Sequence, residues 1–150
     1  MDESEFKKTH RSVNETPCAF AKAILRRCGQ CSRARKLLIA ERESVACNSP
    51  AAQQQCEALK GLLREKALFA LQIKETDEPL PHGKEIKAQC GGLIGLRDVL
   101  AAAAVASGGL DDIHGMVTAA AEHYGDLESL PFTQVMRGVV HYQTRRRERR

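Results

Sequence analysis

The segment "CNSPAAQQQCEALKGLLREKALFALQI", residues 47–73, gives the clearest structural prediction in this 150-residue chain. Ser49 is the expected N-cap and Pro50 takes the first helical position, a combination typical of helix starts. Cys56 and two of the leucines that follow it fall on one face. Most residues of the segment favour a helix, and Gly61 lowers its stability by about 1 kcal/mol. The segment therefore predicts one long helix of about 23 residues.

Composition extends this prediction to the whole chain. Apolar residues make up 43% of it, aromatic residues only 4%, and there is no Trp. A core of small aliphatic residues favours helices over a β-sandwich, because strands draw on β-branched and aromatic residues. We expect an all-α fold with about five or six helices in a small bundle or an irregular array. The other helices are expected near residues 17–28, 32–46, 85–106, 111–124 and 131–143.

The chain is expected to form a single helical domain between a flexible arm and a basic tail. The arm has too few apolar residues to favour ordering. Within the domain, the motif "CGGLIG" is expected to break a helix near Gly91-Gly92. The expected parts are the arm at 1–15, the domain at 16–143 with cysteine-bearing helices at 17–73, a loop at 74–84 and C-terminal helices at 85–143, and the tail at 144–150.

The positive charge of the chain lies mainly in its tail. The formal net charge is +4, and without the five arginines among the last six residues it would be about −1. Arginines contact nucleic-acid phosphates independently of sequence, so the tail is a candidate contact for nucleic acid or another partner. Aromatic residues that stack on bases are scarce, and a solvated end is the other interpretation. The candidate contact residues are Arg145, Arg146, Arg147, Arg149 and Arg150.

No run in the chain reaches the roughly 18 apolar residues that a membrane span requires. The N-terminus is polar and has no hydrophobic signal segment. We therefore predict a cytoplasmic protein without membrane contact. Cytosolic thiols are kept reduced, so clustered cysteines there indicate metal or redox chemistry more often than structural disulfides.

The six cysteines carry the only spacing that suggests a site. From Cys18 the pattern is C-x9-C-x2-C-x15-C-x8-C, and Cys90 follows after 33 intervening residues. Structural zinc takes four thiolate or imidazole ligands, commonly as two close pairs, and iron–sulfur clusters also take thiolates. Cys28 and Cys31 form one close pair. The turn before Ser49 allows Cys47 to approach Cys56. Zinc or an iron–sulfur cluster is the predicted cofactor, with no cofactor as the alternative.

Helix length divides these candidate ligands into two groups. A straight helix over 32–46 would separate the cysteines at its two ends by about 24 Å. In an antiparallel array, the favoured ligands Cys18, Cys47 and Cys56 then share one end. Cys28 and Cys31, the next choice, lie at the other end. The first group would need a fourth ligand, for which Cys90 and His82 are the candidates.

Two other interpretations of the cysteines remain open. The C-x9-C from Cys18 followed by the C-x8-C from Cys47 is similar to the twin C-x9-C pattern of coiled-coil-helix-coiled-coil-helix proteins. Two disulfides staple the paired helices in that family, so the resemblance implies disulfides here. It covers residues 18–56 and differs by the shorter second spacing and the additional Cys31. Alternatively, the cysteines fill a core as small apolar residues.

The sequence predicts an accessory protein more than an enzyme, and it offers no catalytic residues. His114 and Asp111 are three residues apart on a predicted helix, which is typical of an exposed histidine beside a capping carboxylate. The expected role is electron transfer, metal or cluster handling, or redox sensing by the cysteine site. The alternative is a cofactor-free helical adaptor that binds a protein or nucleic acid through its basic surface. A protein partner is expected in either case.

Overall fold

A computed structural model describes residues 3–74 and 78–143. The helices are α1 (Glu3–Val13), α2 (Ala21–Leu25), α3 (Pro50–Ala70), α4 (His82–Ile86), α5 (Gly92–Ala102), α6 (Ile113–Tyr124) and α7 (Phe132–His141). The strands are β1 (Ala34–Ile39) and β2 (Arg42–Cys47). A π-helical turn (Lys87–Gly91) joins α4 to α5, and short 3₁₀ turns span Gly109–Asp111 and Leu127–Ser129.

The antiparallel hairpin of β1 and β2 makes the fold mixed, so the prediction of an all-α protein is wrong. The hairpin occupies the region predicted as a helix over 32–46. Ala40 and Glu41 form its two-residue turn, and both have positive φ, 48° and 72°. A two-residue turn of this kind usually contains Gly or Asn. Because the residues around it also favour helices, no local pattern indicated this turn.

The segment before α2 is extended where the sequence predicted the start of a helix. Pro17 forms an antiparallel bridge with Ala46. The Cys18 N–H donates to Val45 O at 2.9 Å, and the Cys47 N–H donates to Thr16 O at 2.7 Å. These residues therefore lie beside β2 as an additional extended segment, and α2 begins only at Ala21. Residues 3–13, assigned to an arm by the sequence analysis, form α1, and Glu3 pairs with Arg42 at 3.0 Å.

The long helix predicted from the opening segment is confirmed as α3. The Ser49 hydroxyl accepts the Ala52 N–H at 3.2 Å, and Pro50 is the first helical residue. Buried residues recur along one face of the helix, as its amphipathic pattern requires. They are Ala52, Cys56, Leu59, Leu63, Ala67 and Leu68. α3 thereby provides one wall of the core.

The glycines of "CGGLIG" allow close packing. The prediction that they break the helix near Gly91-Gly92 is wrong. The chain continues from α4 through the π-helical turn into α5. A Cβ at Gly95 would overlap the Val135 carbonyl oxygen, and one at Gly91 would lie 2.6 Å from Val139 Cα. Only glycine permits this approach of the α5 backbone to α7. Among the described residues, no helix is both long and apolar enough to cross a bilayer.

Candidate functional site

The structure divides the six cysteines into a disulfide and a set of four free thiols. Cys28 and Cys90 are joined by a disulfide that links positions 62 residues apart, with Cα atoms separated by 5.9 Å. Both had been predicted as candidate metal ligands, Cys90 as an additional one. Oxidised sulfurs supply no thiolate ligands, so this part of the ligand set is excluded by the disulfide.

The four free cysteines line one small cavity, which we call the thiol cavity: Cys18, Cys31, Cys47 and Cys56. Its volume is about 20 Å³, enough for about one water molecule. The rest of the wall is largely apolar and includes Phe20, Ile24 and Ile113. Four cysteines from four separate segments of the chain therefore line a single small cavity.

The hairpin explains why Cys31 joins this group, which the sequence analysis placed at the opposite end of the array. Ala34 pairs with Cys47 at the open end of the hairpin, so Cys47 lies beside a residue that is only three positions after Cys31. The Ala34 N–H donates to Cys31 O at 3.1 Å and forms a tight turn before β1. The prediction of two separate cysteine groups was wrong, because it required a straight helix between these two cysteines.

Backbone contacts fix the other three cysteines. Cys18 and Cys47 lie on neighbouring extended segments joined by the hydrogen bonds described above. Cys56 is buried on the core face of α3, two turns after the helix start. The Cys47 thiol donates to Ser49 O at 3.3 Å, directly at the α3 N-cap. The capping turn and the strand end thus bring the sulfurs of Cys47 and Cys56 to the same cavity.

Burial keeps two of the thiols in the protonated form. It raises the pKa of Cys18 to about 11, against the opposing Phe20 backbone hydrogen bond and with smaller contributions from the neighbouring Cys31 and Cys47. Burial also raises the pKa of Cys56 to about 12, reinforced by the neighbouring cysteines. Both thiols are therefore neutral at pH 7, which slows their reaction because the thiolate is the nucleophile.

Asp112 anchors the wall of the thiol cavity from the start of α6. Its Oδ1 accepts the N–H and the hydroxyl of Ser32, both at 3.2 Å. Burial alone would raise the pKa of Asp112, but hydrogen bonds from Ser32 and from the Gly115 N–H lower it below its usual value.

The prediction of a metal-binding or iron–sulfur protein is corrected by this geometry. Within residues 3–74 and 78–143, no group of three or more His, Cys, Asp or Glu side chains is arranged to hold a metal ion. A ligating cysteine must be a thiolate. The Cys47 thiol instead donates its proton to Ser49 O.

The predicted histidine ligand lies away from the thiol cavity, and a different histidine lies beside it. His82 is exposed at the start of α4, where its Nδ1 accepts Lys22 Nζ at 3.2 Å. His114 lines the thiol cavity, and its Nε2 lies 3.1 Å from Gln55 Oε1 and 3.4 Å from Thr118 Oγ1. The spacing of four between His114 and Thr118 on α6 was the available sequence signal for its orientation.

A larger open cavity adjoins the thiol cavity, and Cys18 lines both. We call it the basic cleft, because Lys22, Lys60 and Arg64 contribute to its walls. Its volume is about 640 Å³. The five tail arginines lie outside the described residues, and their contact with nucleic acid stays a prediction.

Comparison with known proteins gives no family for this chain. No protein-family description, no curated protein and no solved structure matches it.

Proposed function

We propose that this protein is a thiol–disulfide redox protein whose four-thiol cavity senses oxidation. The convergence of four free cysteines on one enclosed space is the observation that carries this proposal. Packing alone does not require it, because isolated buried cysteines would fill a core equally well. The four cysteines line the same cavity, and Cys18 and Cys56 interact electrostatically with the others, so a bond between two of them would join residues that the fold already brings together.

The reaction balances as thiol–disulfide exchange. One cluster thiolate attacks a sulfur of a substrate disulfide, forms a mixed disulfide and releases the first substrate thiolate. A second cluster thiol loses its proton and attacks the bound cysteine sulfur, which releases the second substrate thiolate. The cluster thereby loses two electrons and two protons and gains one internal disulfide. The substrate disulfide gains the two electrons and becomes two thiols.

Because of the raised pKa values, the reduced cluster reacts slowly with disulfides and therefore persists. A thiol with a pKa near 11 is rarely ionised at pH 7. The thiolate of such a thiol is more nucleophilic than that of an ordinary cysteine. On a logarithmic scale, this offsets about half of the decrease in reaction rate that the low thiolate fraction causes. The net result is a reaction roughly 20-fold slower than that of an unperturbed thiol. This suits a sensor that responds to sustained oxidation.

The proposal includes a cytoplasmic location, where the glutathione pool keeps accessible thiols reduced. The four free thiols are then the resting state. The Cys28–Cys90 disulfide is expected to be reduced slowly there, because Cys90 is buried, 0% exposed, and Cys28 is half-buried. The two sulfur sets would differ in role, one serving as a crosslink and the other as the redox centre.

Thiol counting in redox buffers tests this function. The reduced protein is equilibrated with mixtures of reduced and oxidised glutathione, alkylated, and weighed intact. We expect reversible loss of two hydrogens, with peptide mapping placing the new bond among Cys18, Cys31, Cys47 and Cys56. A cluster that stays reduced in every mixture would overturn the proposal. So would stoichiometric zinc or iron in anaerobically purified protein, with the four thiols blocked until the metal is removed.

The matched control is the Cys18→Ser variant with Cys56→Ser. It retains the Cys28–Cys90 disulfide and two cluster thiols, and it removes the two cysteines with raised pKa values. If any exposed thiol pair gave the signal, this variant would oxidise at the same buffer composition as the native protein. We expect a shifted or absent transition.

A further inference from the structure

The basic cleft has the size and position of a small-molecule site. Its volume of about 640 Å³ lies within the range of about 300–1,000 Å³ that ligand pockets occupy. Its walls come from α2, α3, α4 and the segment around Leu80. The cleft opens to solvent on one side and reaches Cys18 on the other. A molecule bound there would lie against the thiol cavity.

The charges of the cleft favour an anion. Lys22, Lys60 and Arg64 line it, and Glu85 is the one carboxylate among its described lining residues. Glu85 accepts Gln89 Nε2 at 2.7 Å and Lys60 pairs with Glu57 at 3.4 Å, so the lining keeps an excess of positive charge after both carboxylates are counted. A concave surface lined mainly by one sign of charge raises the local concentration of oppositely charged ligands.

Gly61 provides independent support, because packing does not explain its presence in the middle of α3. A Cβ at this position would meet no atom within 4 Å. Glycine inside a helix is unfavourable relative to alanine, and φ at this site is not in the left-handed region. The missing side chain does have one effect on the structure. It leaves the wall of the cleft open between Lys60 and Arg64.

We propose that the basic cleft binds a small disulfide that carries carboxylate groups and delivers it to Cys18. This inference rests on the proposed redox function and names its substrate class. The cations of the cleft hold the carboxylates while the disulfide bond lies against the Cys18 sulfur. The Cys18 thiolate attacks that bond and forms a mixed disulfide, and one substrate thiolate leaves. A second cluster cysteine then displaces the remaining half as a thiolate.

A competing entrance lies at Cys31. A cavity of about 380 Å³ borders this residue and is lined by Arg27 and Lys36. It is smaller than the basic cleft, and its two cations without a carboxylate give it the same net lining charge as the three cations and Glu85 of the cleft. The larger volume of the basic cleft favours that entrance for a disulfide with two carboxylate arms. Peptide mapping of the mixed disulfide shows whether the substrate reacts first at Cys18 or at Cys31.

Three disulfides of similar size and different charge test the substrate class. The probes are dithiodipropionate, which carries two carboxylates, neutral hydroxyethyl disulfide, and cystamine, which carries two ammonium groups. The measurement is the rate of mixed-disulfide formation on the reduced four-thiol cluster at low salt. We expect the dianion to react at Cys18 about tenfold faster than the dication, with a ratio that falls as salt rises.

Two variants of the cleft and one matched control complete the test. Lys60→Glu should slow the dianion about fivefold or more and leave the neutral probe within about twofold. Lys66→Glu is the control, because Lys66 lies on the same helix outside the cleft and also neighbours an acidic residue. Gly61→Leu should slow all three probes by filling the cleft. It should also raise the unfolding midpoint, which excludes misfolding as the cause.

The outcomes distinguish the two proposals. If no probe oxidises the cluster, the redox function itself fails. If all three probes react at equal rates, or the first mixed disulfide maps to Cys31, the redox function stands and the anionic substrate class is overturned. Equal effects of Lys60→Glu and Lys66→Glu would also overturn it. A charge-ranked reaction at Cys18 that only Lys60→Glu and Gly61→Leu impair supports it.

Discussion

The thiol cavity and the contact between α5 and α7 differ in how tightly the chain is packed. At the helix contact, Gly91, Gly95 and Gly138 bring two backbones so close that added methyl groups would overlap backbone atoms. At the thiol cavity, four sulfurs surround an enclosed space of about 20 Å³. The first region has no room for a side chain, and the second retains a void.

This difference indicates where the molecule can change without unfolding. Closely packed backbones transmit any added volume directly to their neighbours. The segments around the thiol cavity are short, and loop and strand hydrogen bonds hold them together. A bond between two sulfurs there would replace empty space. Chemistry is therefore expected in the loosely packed region, with the glycine contact as its rigid support.

The largest expected effect comes from removing the disulfide that joins these two regions. Cys28→Ser with Cys90→Ser should lower the free energy of unfolding by about 4 kcal/mol, because the crosslink closes a long loop in the unfolded chain. Urea denaturation measures this change. Reductant present during the denaturation, when unfolding exposes the disulfide, should destabilise the native protein by a similar amount and leave the double variant unaffected. Equal stability of both proteins without reductant would show that this disulfide does not support the fold.

The next effect tests the glycine contact. Gly95→Ala should destabilise the protein by about 3 kcal/mol, because the new methyl group overlaps the Val135 carbonyl and two helices must separate. Gly61→Ala is the matched control in another helix. It should stabilise the protein by about 1 kcal/mol, since nothing lies near its Cβ. Denaturation midpoints of the two variants should lie on opposite sides of the native value. Midpoints on the same side would contradict the difference in packing between the two glycine positions.

The smallest effect is a loss of stability in alkali that arises at the thiol cavity. A thiol whose folded pKa is raised stabilises the fold fully below its unfolded pKa of about 8.5, and this contribution is lost progressively as pH rises to the folded value. For Cys56, with a folded pKa of about 12, the loss between pH 8.5 and pH 10 amounts to about 2 kcal/mol. The measurement is urea denaturation at pH 7 and pH 10.

Substitution assigns this alkaline loss to its residue. Cys56→Ala should reduce the difference between pH 7 and pH 10 by about 2 kcal/mol, because the variant no longer has that titrating group. Leu62→Ala on the same helix should retain the full difference, whatever it does to stability at pH 7. An unchanged pH dependence in Cys56→Ala would mean that burial of this thiol does not control the alkaline transition.

Local signals in the sequence predicted several helices correctly. Ser49 and Pro50 define the start of α3, and Gly125 follows the end of α6 at Tyr124. These features act within one turn of a helix, where side-chain caps and backbone preference dominate. Signals of this kind do not depend on distant residues and so can be read from a short segment.

The hairpin and the cysteine pairing could not be predicted in the same way. Residues 34–47 contain many helix-favouring side chains, yet they pair as strands because β2 also binds the segment around Pro17. This tertiary pairing outweighs local preference. The partner of Cys28 lies 62 residues away, and no spacing rule connects the two.

By itself, the sequence determined the aliphatic core, the N-cap of its longest helix and the clustering of the cysteines along the chain. Only the tertiary structure decided which sulfurs meet. Cys31 approaches Cys47 because a hairpin reverses the chain between them, and Cys28 is removed from that group by its bond to Cys90. The physical reason is the distance along the chain over which each kind of interaction acts. Caps and helix preference act over a few neighbouring residues, whereas the position of a sulfur depends on the packing of segments far apart in the chain.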